Sequence, residues 1–535
     1  MDRNQANLVS HIRALFNAGK WEIAEAKLEE ALKQYPSEYA FLELMGVAKL
    51  NLKNPKDAVR FFKKAIKKAP KQAMSYMNLA SAEIMIGALP NAQATIIKAL
   101  KLDPRCADAW MLQGDIHTAK EQNDKAVECY TKASRLQPDS LKFAVKLLVT
   151  LELQNKIDDL EQQIKVFEAR AADHPVFKLF KGIVRIGKSD FAEAKNILES
   201  ISFDSQNTAQ FHELELMRVR ALGLTADKLH LEVEAVGYFA QAKALNRSFH
   251  RNPPPPEAFW EVCEMREAYT TNDAMKSWVY PSPHLDEPVF IVGFPRSGTT
   301  LLDTFLRGHK GLALLEEVPA VSKMRFALGT SANHSILALD KLDEKTISLA
   351  RKAYFAEVRA HKPKGLVIDK LPMNLVFASE ILRVFPRAKF ILALRDPADA
   401  VLSCFMQSFR LNPPMATLDS AADAAKTYAL SMQIWQNTVK ALSPACVTTR
   451  YEDLISNPEE TLRPIVSFLG VEWDEAMLDH QATAQARGHI NTPSRTQVVK
   501  PLYQSAVARW ERYAQLMPEA VEILAPWRKE FGYSD

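Results

Sequence analysis

Prolines stand at positions 36, 70, 104 and 138, and each step between them is 34 residues. Alanines keep the same step at Ala24, Ala58, Ala92 and Ala126, and again at Ala31, Ala65, Ala99 and Ala133. Gly46, Ala80 and Gly114 form a third series in phase with both. Three position classes on one period leave little freedom. A unit of this length holds two helices and a turn, and such units stack because none can bury its apolar face alone. Gly or Ala belongs where the two helices cross closely, with the bulky Leu44, Tyr76 and Trp110 around the crossing. Each proline ends a second helix, since it lacks an N–H and collides with the preceding turn.

Past Pro138 the register decays. The segment LKFAVKLLVTLELQNKIDDLEQQIKVFEARAADHP keeps apolar residues at helical spacing, but Pro175 comes 37 residues on. An all-α array is therefore expected over residues 1–250, regular to about 138 and degenerate after it. Pro253 to Pro256 cannot continue a helix. Residues 251–285 accordingly read as a Pro-rich linker and a lead-in helix carrying Phe259, Trp260 and Trp278, and residues 286–535 as a separate domain. Helical arrays offer concave faces to peptides or partner subunits, and they also serve as rigid scaffolds or dimerisation arms. The period does not choose between these uses.

Composition narrows the class. Of 535 residues 47% are hydrophobic, yet no apolar run nears the roughly 18 residues of a membrane span. Lys+Arg less Asp+Glu is 68 − 64 = +4, too dilute for a nucleic-acid or membrane-surface protein without a local basic patch. The five cysteines are scattered and lack CxxC spacing, which indicates neither a disulfide framework nor a zinc site. The N-terminus reads at once as amphipathic helix, with no apolar leader segment. The expectation is a cytoplasmic protein with no nucleic acid, membrane or metal among its partners.

Chemistry concentrates in the second half. In EPVFIVGFPRSGTTLLDTFLRGH, a buried strand Val289 to Val292 leads into a loop with Gly293 and Gly298, then a helix opening at Thr299. Loop amides, a helix N-terminus and small residues make an anion site. Arg296 adds a cation, and Thr299 and Thr300 add hydroxyls. The lysine of an ATP-binding GxxxxGK[ST] loop is missing, and no magnesium carboxylate motif follows, which argues against a kinase. Further strands, Leu366 to Asp369 and Lys389 to Leu394, alternate with helices, the pattern of a parallel sheet covered on its faces. Lys370 and Arg395 fall at the carboxyl ends of these strands, where open α/β sheets bind ligands. Ser403 follows on the next helix, its side undecided by spacing.

PRSGTT followed by LRDPADAVLS resembles the 5′-phosphosulfate and 3′-phosphate signatures of sulfotransferases that use 3′-phosphoadenosine 5′-phosphosulfate (PAPS). The chain is similar to the bacterial tetratricopeptide-repeat sulfotransferases, and residues 286–515 resemble the tyrosylprotein sulfotransferases. The resemblance implies an α + α/β protein: a tetratricopeptide-repeat solenoid, then a P-loop-like α/β sulfotransferase domain with a parallel sheet. It implies that Arg296, Ser297, Gly298, Thr299 and Thr300 hold the 5′-phosphosulfate and that Arg395 and Ser403 hold the 3′-phosphate. Tyr451, after a strand at Cys446 to Thr449, is implied as a nucleotide contact, and Ser494 and Lys500 as contacts from a closing loop.

For the base, the resemblance carries the second acid of LALLEEVPAV, Glu317, 21 residues after Arg296. A carboxylate there can take the proton of a hydroxyl attacking sulfur. Glu316 and His309 are the alternatives, with His309 expected to pack at a helix end. Lys370, Arg296 and the loop amides are expected to neutralise charge on the leaving phosphate. Gln407 stands where the tyrosylprotein enzymes have an arginine, leaving Arg410 as a substitute. The implied acceptor is a hydroxyl on a protein tyrosine, a carbohydrate or a small molecule, with a protein or peptide acceptor bound by the repeats, and a homodimer stays open. A repeat adaptor with an inactive or nucleotide-binding-only domain is the other reading, although a scaffold has no need of Arg296, Glu317, Lys370 and Arg395 together.

Overall fold

The computed structural model describes residues 3–120, 122–171, 173–203, 209–271, 275–276, 278, 287–330, 339–487, 501–502 and 504–533. It divides into two compact units, Met1–Gly187 and Lys188–Asp535.

The first unit is helical throughout, beginning with Arg3–Asn17, Trp21–Gln34, Tyr39–Asn51, Pro55–Lys68, Ala73–Met85 and Leu89–Leu102. Every periodic proline lies two residues beyond a helix end, at Gln34, Lys68, Leu102 and Leu136. The residue between closes the last turn, its N–H donating to the carbonyl of Ala31, Ala65, Ala99 or Ala133. That alanine series is buried and takes the cap bond, which accounts for its regularity. A Cβ on Gly46 would lie 2.4 Å from Cε1 of Phe62, and one on Gly114 would lie 2.5 Å from Cε1 of Tyr130. At the equivalent place in the intervening repeat, Ala80 shares a core cluster with Ile96. Small residue and partner are 16 positions apart in all three, so glycine appears where the partner is aromatic and alanine where it is aliphatic.

In the second unit the helices Ala209–Lys228 and Glu232–Ser248 repeat this contact, Gly223 facing Phe239 at the same spacing. These helices belong compactly with the sheet, although the sequence places the domain boundary near residue 250. Buried Lys243 donates to the carbonyls of Cys404 and Leu418 at 3.2 and 2.6 Å, and Phe239 meets Phe405 edge-on.

The sheet has five parallel strands in the order β2-β3-β1-β4-β5: β1 Val289–Gly293, β2 Leu312–Glu316, β3 Leu366–Lys370, β4 Lys389–Leu394 and β5 Cys446–Arg450. Alternation divides its apolar side chains between two cores. Phe290, Val292, Leu392 and Leu394 face one, and Val289, Ile291, Ile391 and Ala393 the other. Strand β2 corrects the sequence reading, which left Leu312–Glu316 unassigned; Glu316 is its last residue and Glu317 follows directly. Among the described residues no helix is long and apolar enough to cross a membrane.

The crossing contact predicts a coupled effect. Gly46→Ala should destabilise the protein by about 1–3 kcal/mol through overpacking. Adding Phe62→Ile should recover most of the loss, because the Ala80/Ile96 crossing already accommodates that pair. Thermal unfolding of the two variants measures both steps.

Candidate active site

The loop from Phe294 to Gly298 joins β1 to the helix Thr299–Arg307. Arg296 and Gly298 both take left-handed backbone, with φ of 70° and 83°. A Cβ on Gly298 would sit 2.7 Å from Cδ2 of Tyr451, so only glycine makes this turn beneath the ring. Ser297, Thr299 and Thr300 are buried around the turn. The first-turn amides of the helix have no acceptor within it and make the N-terminus a donor site for an anion.

Beside it, Arg395 leaves the end of β4, and its guanidinium lies 5.0 Å from the centre of the Tyr451 ring. Its Nη1 donates to the Arg296 carbonyl at 3.2 Å and its Nη2 to the Ala506 carbonyl at 2.5 Å. Its Nε is buried with no hydrogen-bond partner. Ser403 lies on the site side of the helix Pro397–Phe405, its Oγ accepting from Arg296 Nε at 3.0 Å. Asp399 pairs with Arg395 at 3.9 Å. Burial pushes the Asp399 carboxyl up to about 6, with Arg395 pulling the other way. Asp399 also accepts the Trp510 amide at 2.9 Å, which anchors the segment bearing Ala506.

The acids meet on one ammonium. Lys370, with no exposed side-chain surface, donates to Glu316 Oε1 at 3.1 Å and to Glu317 Oε1 at 3.4 Å. Register places Glu316 directly opposite Lys370, and the Glu317 amide donates to the Lys370 carbonyl at 2.8 Å. Glu317 takes φ 53°, a left-handed turn that costs about 1–3 kcal/mol for a residue with a side chain. The two acids then differ. Glu316 is 8% exposed, whereas Glu317 is 38% exposed. Burial disfavours charge on Glu316, but Lys370 and Arg487 together outweigh it and hold the carboxyl below its usual range. Burial dominates at Glu317 and, with the negative charge of Glu316 and against the pull of Lys370, raises it.

His309 is held at a helix end. Its Nε2 faces the Glu472 carbonyl at 2.8 Å and its Nδ1 accepts the Gly311 amide at 2.9 Å, an arrangement that uses both ring nitrogens. Tyr451 opens the helix after β5. Gln407 is partly buried and Arg410 exposed. Ser494 and Lys500 lie outside the described residues. Sequence reasoning missed Asp303 and Arg487, which join the acids through ion pairs, and the Ala506 carbonyl on Arg395. The strand pattern in LALLE was available; nothing local marked Arg487 or Ala506. Among the described residues no cluster of His, Cys, Asp or Glu is arranged to hold a metal.

Residues 288–475 match the Sulfotransferase family, and residues 10–73 and 76–155 match the Tetratricopeptide repeat. The chain joins tetratricopeptide repeats to a sulfotransferase-family domain. Protein-tyrosine sulfotransferase 1 of Danio rerio is 27% identical over 257 residues, 46% of this chain and 72% of that protein. Protein-tyrosine sulfotransferase 2 of Gallus gallus is 28% identical over 46% of this chain and 69% of that protein. An uncharacterized protein of Aquifex aeolicus (strain VF5) is 28% identical over 44% of this chain, and the match spans about a third (32%) of its length.

The sulfotransferase domain should depend on its buried ammonium. Lys370→Met leaves Glu316 and Glu317 without their shared cation and should cost about 3–5 kcal/mol, read as a lower denaturant midpoint in urea unfolding.

Proposed function

We propose that this chain transfers a sulfuryl group from PAPS to a hydroxyl acceptor by in-line displacement, with Glu317 as the base. The observation that carries this reading is the state of Arg395. Its guanidinium bonds two neutral carbonyls, its Nε is buried and unbonded, and Arg296, Ser403 and the phosphate-loop turn surround it. A charge so placed fits a doubly phosphorylated nucleotide. Arg296, Ser297, Gly298, Thr299 and Thr300 would hold the 5′-phosphosulfate, Arg395 and Ser403 the 3′-phosphate, and Tyr451 the nucleotide; Lys500 is kept as a loop contact. When bound, PAPS supplies a sulfuryl group on a phosphate that leaves readily.

The residues of the chain do the rest. Glu317 presents an open carboxylate that accepts the acceptor proton at an Oε atom. Lys370 orients that carboxylate, and its positive charge, with Arg296 and the loop amides, favours negative charge growing on the departing phosphate. Glu316, bonded by Lys370 and Arg487, stays a structural anion. No step requires a metal.

Tyrosine in a protein is the first acceptor to test, since the vertebrate relatives carry that activity in their names. The concave face of the repeats suits such an acceptor, and a homodimer is the other use of that surface. The five cysteines are free thiols, which agrees with a cytoplasmic setting.

Calorimetry with adenosine 3′,5′-bisphosphate tests the site. Binding should occur without added metal, and Arg395→Ala should weaken it about 10- to 150-fold, the worth of a charge-assisted hydrogen bond. Absence of binding by the unaltered protein overturns the proposal. Transfer from labelled PAPS to protein in a cell extract should fall about 10²- to 10⁴-fold with Glu317→Gln.

A further inference from the structure

The two acids and Lys370 end a longer file of charge. Arg487 follows the helix His480–Ala486, and its Nη1 lies 2.8 Å from Asp303 Oδ2 while its Nη2 bonds Glu316 Oε2. Asp303, with no exposed side-chain surface, is also gripped by Arg307 through Nε at 2.8 Å and Nη2 at 3.1 Å. The order is Arg307, Asp303, Arg487, Glu316, Lys370, Glu317: three cations alternate with three carboxylates. The charged groups that act on Glu317 are Lys370 from β3, Glu316 from β2 and Asp303 from the helix Thr299–Arg307, with Arg487 and Arg307 behind them.

The file has one loose end. Glu316 is bonded on both sides, Asp303 is bonded on both sides, and only Glu317 has a single partner cation and open surface. Without Arg487 the cluster holds one carboxylate in excess, and Glu316 has Lys370 alone. Lys370 must then draw toward the more buried acid, since an uncompensated buried charge is the costlier of the two. The loss falls on Glu317.

We propose that Arg487 is a positioning residue for the base: by holding Glu316 from the far side it leaves Lys370 divided between the two acids, so that Glu317 keeps its charge and its orientation toward the acceptor. This rests on Glu317 being the base. The raised position of Glu317 and the lowered position of Glu316 accord with the division.

Two readouts test it on the full-length protein. The first is titration of the Glu317 carboxyl by carbon-13 NMR, assigned by difference from Glu317→Gln. Arg487→Met should raise the midpoint by about one pH unit, the effect of losing a nearby opposite charge, which means about tenfold less carboxylate below it. Arg487→Lys should restore most of the shift. Glu316→Gln combined with Arg487→Met should return the midpoint to the unaltered value or below it, because no second acid then competes for Lys370 or adds its negative charge. The second readout is the pH profile of kcat/KM with labelled PAPS. Activity falls as pH drops through the Glu317 midpoint, so the acid limb should move to higher pH with Arg487→Met, while the alkaline plateau stays within about threefold and binding of adenosine 3′,5′-bisphosphate is unchanged.

An unmoved midpoint, or an equal loss at every pH that Arg487→Lys does not relieve, overturns the proposal. If Arg487→Met does not fold, the lysine and double variants decide by the same midpoints. A midpoint that moves while the acid limb stays put removes Glu317 as the base and this role with it. The NMR titration decides the charge coupling even in a protein that shows no transfer.

Discussion

Burying an ammonium is costly unless carboxylates close around it, and the site is built on that condition at Lys370, which has no exposed side-chain surface. Register between β2 and β3 sets Glu316 against it, and the left-handed turn at Glu317 swings a second acid to the same nitrogen. A slip of one residue would turn Glu316 to the opposite face and empty the pair. Sheet pairing therefore decides the local electrostatics, and the exposure of the two acids divides their work. The enclosed acid anchors the lysine, and the open one can meet an acceptor.

The other end of the site obeys a different rule. Arg395 donates its hydrogen bonds to carbonyl oxygens, with the Asp399 carboxylate farther off at 3.9 Å. Arg296 turns back through the left-handed region to bond Ser403, and Cys404 donates to the Pro295 carbonyl at 3.4 Å, so the phosphate loop and the helix Pro397–Phe405 are locked together. Preorganised positive charge is what transfer of a charged group requires, since no energy is then spent on reorientation as charge develops. At the acid end cations and carboxylates alternate in direct contact, whereas at the arginine end the nearest carboxylate, Asp399, stands 3.9 Å from Arg395.

The helices ahead of the sheet carry the repeat's crossing rule beyond the repeat's period. Gly223 and Phe239 meet as Gly46 and Phe62 do, within a unit that also contains the sheet. On this helix pair, Asp227 receives Arg509, Arg512 and the Tyr513 hydroxyl, close in sequence to the Ala506 carbonyl on Arg395. A helix pair of solenoid character thus supports the segment that meets Arg395.

The amino-acid sequence by itself determined the 34-residue helical repeat, the strand–loop–helix at PRSGTT, the strands ending in Lys370 and Arg395 and the resemblance to sulfotransferases, because each is a local pattern of period, punctuation or motif. It passed over β2, four apolar residues closed by a glutamate, because the adjacent acids drew the reading to their chemistry and not to the strand that carries them. Tertiary structure alone decided that Ser403 faces Arg296, that Glu317 rather than Glu316 stays open, and that Arg487 and Ala506 belong to the site. Those contacts join residues 107, 171 and 111 positions apart. Pairings at such separations leave no periodic trace in the chain, and they form only when the register of a parallel sheet brings its carboxyl ends together.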